Sequence, residues 1–300
     1  MTIRVLISDP IFDEGVELLE QKGYQVTKAW NMPKAELPRI IGDFDALIVR
    51  SATKVNANLI ANAKKLKVIG RTGDGVDNID VEQARKQGIT VVNTPHVASV
   101  SVAELAIGHL LALARNIVEG TVTLREGKWV KEELMGVEVN GKTLGIIGCG
   151  SIGREVKKLA SGLGMNVLNV DVCVSKEFVP LNEMLPKADF ISVHVPFTPH
   201  TRHFLSTKEI DKMKDGVMLI DCSRGGVVDQ EALYQALVSG KVKAAALDVF
   251  EEEPPKNSKL LTLKNVIATP HIGAQTKEAQ LKASIQIAKK VIEALEKSAS

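Results

Sequence analysis

The stretch Leu144–Gly153, LGIIGCGSIG, decides how the rest of the chain is read. It places Gly148, Gly150 and Gly153 in G-x-G-x-x-G spacing. Glycines abound in loops, so the spacing alone carries little. Its setting carries more. A strand-like run, Thr143–Ile147, precedes it and a helix-like run, Arg154–Leu163, follows. NVLNVD then ends in Asp171, close to the ~20-residue separation of a dinucleotide-binding βαβ unit. Gly148 would make the tight turn, Gly150 would admit a pyrophosphate against the backbone, and Gly153 would let the helix close on the strand. Phosphates would meet the free N–H groups at the helix start. Asp171 would accept hydrogen bonds from the adenosine ribose and repel a 2′-phosphate, which favours NAD over NADP. The plainer alternative is a structural βα turn with a capping aspartate.

Outward from this loop the chain alternates. IRVLIS, ALIV, KVIGR and ITVVN are short apolar runs, separated by helical spacing in DEGVELLEQKG, NANLIANAKK and DVEQARKQG. One long helical stretch follows, SVAELAIGHLLALARNIVEGTVTLREG, too apolar in its first half for a solvated helix. The alternation restarts with KTLGIIG, NVLNVD, DFISVHV, GVMLIDCS, KAAALDVF and NVIATP, and a last helix begins near AQTKEAQ. Such a β-α-β-α pattern predicts parallel sheets covered by helices. The expected fold class is α/β, with two Rossmann-like or flavodoxin-like parallel-sheet domains and an active-site cleft between them. The expected boundaries are 1–93 plus 273–300 for a discontinuous substrate domain, and 94–272 for a nucleotide domain.

Composition bounds the function. The chain has 300 residues, 45% of them hydrophobic, and a net charge of +2, so no sequence-wide field draws it to nucleic acid or a membrane. No apolar run reaches the ~20 residues a spanning helix needs. MTIRVLISDP reads as strand and turn rather than a signal peptide. Three cysteines, Cys149, Cys173 and Cys222, fit a reduced, cytoplasmic setting, and no spacing suggests a metal site.

Several charged groups stand at strand exits. His96, His200 and His271 each follow Thr-Pro, and His194 sits in ISVHVP. Spacing does not choose among them, although Pro270 and Gly273 give His271 the best local case. Arg224 in DCSRGGVVD follows a strand, where open α/β sheets bind ligands, and its planar fork suits a carboxylate. A cap on a helix C-terminus is the alternative role. ALDVFEEEPP crowds Glu251, Glu252 and Glu253 at another strand end.

GCGSIG, CSRGGVVD, ALDVFEEEPP and TPHIGA, in this order and at these separations, resemble the D-isomer-specific 2-hydroxyacid dehydrogenases. IVRSATKV, GRTGDGVDNID, VVNTPHVASVSVAELAIGHLLALAR, GKW and MGVEVNGKTLGIIG extend the resemblance, most closely to the branch acting on 3-phospho-D-glycerate. The resemblance implies a catalytic set of Arg224, Glu253 and His271. His271 would be the base for the C2 hydroxyl, Glu253 its orienting carboxylate, and Arg224 the group holding the substrate carboxylate. Glu251 and Glu252 would then be solvated loop acids. The family pattern places cofactor contacts at Ser151, Ile152, His194, Val195, Pro196, Cys222, Ser223, Arg224, Asp248, His271, Gly273 and Ala274. Asp248 would accept a hydrogen bond from the nicotinamide carboxamide, or serve only as a strand-end turn acid.

Substrate choice is expected from two loops. Arg50, Ser51, Thr53 and Lys54 lie in VRSATKV; Arg71, Gly73, Asp74 and Gly75 lie in GRTGDGVD. Their cations would suit a phosphate of roughly −1.5 to −2 charges, or be ordinary surface cations. Lys131, after GKW, is the candidate for reaching a partner subunit's site. Three departures stand out. Asp74 replaces a Thr or Ala of relatives, the segment VCVSKEFVPLNEM after Asp171 is short, with the helix flanking adenine reduced or absent, and nothing follows the last helix to form a serine-sensing domain. No serine feedback by that route is expected. The helix Val100–Arg115 and the arm through Trp129 suggest a homodimer, or an interdomain core element. The expected activity is NAD-dependent oxidation of 3-phospho-D-glycerate, entering serine biosynthesis. The alternatives are a glyoxylate or hydroxypyruvate reductase, another D-2-hydroxyacid dehydrogenase, or an NAD(H)-sensing corepressor without turnover.

Overall fold

The computed structural model describes residues 2–171 and 178–298. Cys173 and the start of the short segment after Asp171, where the flanking helix is expected to be reduced, lie outside them. The chain divides into two compact units, 1–98 with 274–300, and 99–273. The first break falls after Ala98 rather than Asn93. Thr94 explains the difference: its N–H donates to the Gly73 carbonyl at 3.0 Å and its Oγ1 accepts the Gly73 N–H at 2.7 Å, which ties it to the first unit.

The first unit holds five parallel strands: β1 (Arg4–Ile7), β2 (Gln25–Lys28), β3 (Ala46–Val49), β4 (Val68–Arg71) and β5 (Thr90–Asn93). Their order is β2-β1-β3-β4-β5, the flavodoxin-like arrangement. Alternate side chains serve opposite faces, as a pleated strand requires. Leu6, Leu47 and Ile69 pack with Leu37, Ile41, Leu59 and Ile60. Val5, Ile7, Ile48 and Val68 pack on the other side with Val16 and Leu19, and with Ile287, Val291 and Leu295 of the last helix, Lys277–Lys297. β2 escapes the sequence pattern because it is an edge strand, exposed at both ends and only partly buried between.

The second unit holds β6 (Thr143–Ile147), β7 (Asn166–Val170), β8 (Phe190–Val193), β9 (Val217–Asp221), β10 (Val242–Leu247) and β11 (Val266–Ala268). All pair in parallel, in the order β11-β10-β9-β8-β6-β7, and Phe178 bridges to Asn169 beyond the β7 edge. Ile191, Val193, Leu219 and Leu247 build one core with Met184, Ile210, Leu233 and Leu237. The helix Ser99–Ala114 packs against β9, β10 and the helix Ser151–Gly162, which accounts for its apolar composition. The long helical stretch read from Ser101 to Gly127 is in fact two helices, Ser99–Ala114 and Ile117–Arg125, bent by 64°, the first lying close to the Val100–Arg115 helix expected. Asn116 makes the break at φ +52°, a left-handed conformation that asparagine tolerates better than most residues. No single helix among the described residues is long and apolar enough to cross a membrane.

Candidate active site

Six parallel strands of the second unit end on one edge, and their exits are stitched together. Gly148 N donates to Val170 O at 2.9 Å, His194 N to Ile147 O at 2.7 Å, Asp248 N to Asp221 O at 2.9 Å, and Thr269 N to Leu247 O at 2.9 Å. The carboxyl ends of open α/β sheets are where ligands bind.

The three glycines of the loop differ in surroundings. Gly148 has φ +95°, and a Cβ there would lie 2.7 Å from the His194 carbonyl oxygen. A Cβ on Gly153 would lie 2.0 Å from the Gly148 carbonyl oxygen, so helix and turn touch through bare backbone. A Cβ on Gly150 would meet nothing within 4 Å. Gly150 caps the helix Ser151–Gly162, so Ser151 and Ile152 form its first turn, the end of a helix that favours a phosphate. A crowded turn, a tight helix contact and an open middle position are what a pyrophosphate cradle needs, so these residues fit a dinucleotide. Asp171 at the β7 exit accepts the Cys149 N–H on Oδ2 at 2.6 Å, so it also braces the loop itself.

The next exit carries His194, Val195 and Pro196. The His194 ring is buried, with Nε2 2.8 Å from Ser192 Oγ, and burial pushes its pKa down to about 4. Its ring is therefore an interior neutral group, and its carbonyl rather than its imidazole abuts the glycine turn. At the β9 exit Cys222 and Ser223 are buried, and Ser223 N and Oγ both donate to Asp221 Oδ1. Burial, then the carboxylates of Asp248 and Asp221, push the Cys222 thiol well up, which leaves it inert as a nucleophile.

Arg224 follows, and the two glycines after it explain its placement. A Cβ on Gly225 would lie 1.8 Å from the Phe250 carbonyl oxygen, so this loop packs directly on the one carrying the three glutamates. Gly226 has φ +86° and faces the Phe197 ring. Arg224 Nη1 donates to its neighbour Ser223 O at 2.8 Å, and its charge helps hold Glu253 ionised.

Glu253 and His271 meet. Nδ1 of His271 is 2.7 Å from Glu253 Oε2, while Oε1 accepts the Phe250 N–H at 3.1 Å. Burial would raise the Glu253 pKa, but the bond to His271 and its charge outweigh it and the group lies below its ordinary value. His271 has φ +53°, a rare conformation for a residue with a side chain. Asp248 holds the flanks of that residue: Oδ1 accepts Thr269 Oγ1 at 2.6 Å and Ile272 N at 2.8 Å, and Oδ2 accepts Gly273 N at 2.8 Å. Both Asp248 oxygens thus serve the turn at the end of the strand, the second of the two roles weighed for it above. Glu251 is likewise more than a solvated acid: it accepts the Gln230 N–H at 3.3 Å and lies 3.3 Å from His203 Nε2. Lys131 begins an exposed turn, Lys131–Leu134, in the same unit.

The remaining candidates belong to the first unit. Arg50 follows β3 and Arg71 ends β4; Val49 and Arg71 are register partners, so the two guanidinium-bearing residues leave adjacent strands side by side. Arg50 Nη1 donates to Pro10 O at 3.3 Å and Nη2 to Gln275 Oε1 at 3.1 Å, on the segment that begins with Ala274. Burial lowers the Arg50 pKa against the pull of Asp9. Arg71 folds over Gly73, where any Cβ would strike its Nη1 at 1.4 Å. Ser51, Lys54 and Asp74 are exposed and Gly75 is half-buried. Thr53 is not available to a ligand: it is buried, and its hydroxyl donates to Asp9 Oδ1 at 2.8 Å.

Asp9 is the organiser of this loop that spacing missed. It is 1% exposed, and it accepts Arg50 N at 2.7 Å, Thr53 N at 3.1 Å and Lys34 Nζ at 2.9 Å. The available signal was its place two residues past the apolar strand β1 and before a proline, close to the strand-exit position that Asp171 and Asp248 occupy. His109, Asp221 and Thr269 were missed as well, each hidden inside an apolar or already quoted run.

Comparison with known proteins agrees with this geometry. Residues 107–273 match the family described as D-isomer specific 2-hydroxyacid dehydrogenase, NAD binding domain. The chain is similar to a D-3-phosphoglycerate dehydrogenase of Methanocaldococcus jannaschii, 48% identical over 96% of this chain and 57% of that protein. It therefore spans little more than half the length of that relative. It is also similar to a hydroxypyruvate reductase of Thermotoga maritima, 49% identical over 97% of this chain and 98% of that protein. A crystal structure of a Thermus thermophilus protein superposes with a TM-score of 0.91 at 35% identity, covering 98% of this chain and 97% of the other. The chain belongs to the D-isomer-specific 2-hydroxyacid dehydrogenase family, and its second unit is an NAD-binding domain.

Proposed function

We propose that this chain oxidises 3-phospho-D-glycerate to 3-phosphohydroxypyruvate with NAD, the reaction that opens serine synthesis. The chemistry is carried by one observation, the 2.7 Å contact between Glu253 and His271 on the strand exits beside Arg224. Glu253 orients the ring so that Nδ1 carries a proton and Nε2 is left to take the C2 hydroxyl proton. Arg224 holds the substrate carboxylate and polarises the C2 oxygen. In reverse, His271 returns the proton. When bound on the Gly148–Gly153 loop, NAD supplies the hydride acceptor, with Asp171 on its ribose.

The phosphate of the substrate would be met by Lys54, Arg50 and Arg71, with Ser51, Gly73 and Gly75 giving close approach. The adjacency of Arg50, just after β3, and Arg71, at the end of β4, supports this, as does the similarity to a phosphoglycerate dehydrogenase. The second reading is a reductase of unphosphorylated hydroxypyruvate, favoured by the relative that matches along 98% of its length. Steady-state comparison of 3-phosphohydroxypyruvate with hydroxypyruvate decides between them. The proposal expects kcat/KM to favour the phosphorylated substrate, and Lys54→Ala with Arg71→Ala to abolish that preference. Equal or reversed preference in the wild-type chain overturns it.

A homodimer through the NAD-binding unit is part of the same reading. Leu124, Trp129 and Met135 are 59%, 81% and 82% exposed along the arm, more apolar surface than an unpartnered edge should show. Lys131 on that arm would serve the partner's site.

A further inference from the structure

We propose that His109 is a positioning residue for proton transfer, acting on His271 through Thr269 and Asp248. The inference rests on the dehydrogenase reading above and extends it to a helix outside the loops that carry the chemistry.

The chain of contacts has a direction. Thr269 Oγ1 lies 2.6 Å from Asp248 Oδ1, and a hydroxyl has one proton to give, so that proton goes to the carboxylate. His109 Nε2 lies 3.1 Å from the same hydroxyl oxygen, which can then only accept. The His109 ring is therefore held as the tautomer with its proton on Nε2. Burial lowers its pKa against the opposing pull of Asp248, which keeps it neutral and suited to this single donation. Asp248 in turn accepts the N–H groups of Ile272 and Gly273. Those two residues follow His271 directly and Thr269 precedes it by two.

The same helix reaches the turn a second way. A Cβ on Gly273 would lie 3.2 Å from Val102 Cγ2, and Val102 stands seven residues before His109, on the same helix face. The helix Ser99–Ala114 thus presents an apolar contact and a directed hydrogen bond to one five-residue segment. That segment holds His271 at φ +53°, a conformation that persists only where its surroundings impose it. Without the His109 donor, the Thr269 hydroxyl can turn, Asp248 loses a fixed partner, and the ring facing Glu253 loses its bearing.

The test compares His109→Leu, His109→Gln and Thr269→Val in the full chain. A glutamine side-chain amide can supply an N–H near the imidazole Nε2; leucine fills space without a donor. The expected result is a fall in kcat of about tenfold in His109→Leu with KM for NAD changed less than about twofold, because small misplacement of a reacting group costs rate rather than uniform binding. His109→Gln should recover kcat to within about threefold, and adding Thr269→Val to His109→Leu should cost little more, since both cut one chain. Amide exchange at Ile272 and Gly273 should quicken in His109→Leu and not in His109→Gln. Unchanged kcat and exchange in His109→Leu overturn the inference; so does equal damage from leucine and glutamine, which would mean packing alone. If the wild-type chain turns over no D-2-hydroxy acid, the dehydrogenase reading falls by itself, and the exchange comparison decides whether His109 holds the His271 turn.

Discussion

Glu253 grips the His271 ring with one carboxylate oxygen and its own loop with the other, since Oε2 lies 2.7 Å from Nδ1 while Oε1 accepts the Phe250 N–H. The acid is thus fixed before it fixes the histidine. Replacing His271 by Asn keeps the left-handed backbone accessible and removes the base. Its kcat should fall by about 10²–10⁴, the usual worth of general base catalysis. Glu253→Gln should lose less, because its amide oxygen can still accept from Nδ1 while the negative charge beside the ring is gone. Steady-state kinetics check both; a Glu253→Gln kcat equal to wild type would remove the pair from the mechanism.

Gly150 and Gly153 should fail differently when changed to alanine. The added methyl at Gly153 must displace backbone 2.0 Å away, so Gly153→Ala should lower folding stability as overpacking does, by about 1–3 kcal/mol or more, and the melting temperature with it. Gly150→Ala meets open space and should melt like wild type, yet weaken NADH binding about tenfold or more by filling the place of the pyrophosphate. Thermal melts alongside a fluorescence titration separate the two.

Much of this loop was legible in advance, because a strand, three glycines, a helix and an acid come in fixed succession along the chain. The exits of β9, β10 and β11 were legible only as separate fragments. No periodicity links Glu253 to His271, which are eighteen residues apart and brought together by pairing of β10 with β11. Asp9 and His109 were not legible, since each looks like an incidental polar residue at the end of, or inside, an apolar run. Edge strand β2 and the bend at Asn116 escaped for a related reason: neither changes the hydrophobic pattern enough to mark itself.

Asp221 should make stability fall with rising pH over a narrow range. Burial, and behind it the Asp248 carboxylate, raise its pKa from 3.8 to about 6 against the Ser223 hydrogen bonds and the charge of Arg224. Between about pH 4 and 6 the unfolded chain releases this proton while the folded chain keeps it, so folding free energy weakens across that window, by roughly 3 kcal/mol at most. Asp221→Asn retains an acceptor for Ser223 and should flatten that slope. Urea denaturation at several pH values reads the difference.

Asp9 should act with the opposite sign. Burial raises its pKa, but hydrogen bonds from Lys34, Arg50 and Thr53 outweigh that and leave it lowered. Its contribution is fully present above the ordinary carboxylate value and is lost as pH falls through the lowered one. Asp9→Ala should destabilise the chain by about 2–5 kcal/mol, because it strands two backbone N–H groups and a lysine. It should also blunt the preference for a phosphorylated substrate if Arg50 and Lys54 select it. Denaturant melts and substrate kinetics on one preparation check both effects.

The exposed arm offers a test of assembly. Leu124→Glu should convert a dimer to a monomer in light scattering while changing the folding free energy of the protomer by no more than about 0.5 kcal/mol, as surface changes usually do. A wild-type chain that scatters as a monomer would show that the arm serves some other contact.

Finally, the helix Lys277–Lys297 closes the sheet that the first hundred residues begin: Ile287, Val291 and Leu295 lie on Val5, Ile7, Ile48 and Val68, and Gly15 must stay bare to let Ser284 approach. A ribosome releases those early strands long before the helix that covers them. Throughout synthesis of the intervening NAD-binding unit the nascent chain carries a greasy, unfinished surface, and that interval is where a chaperone or a slow codon would matter most.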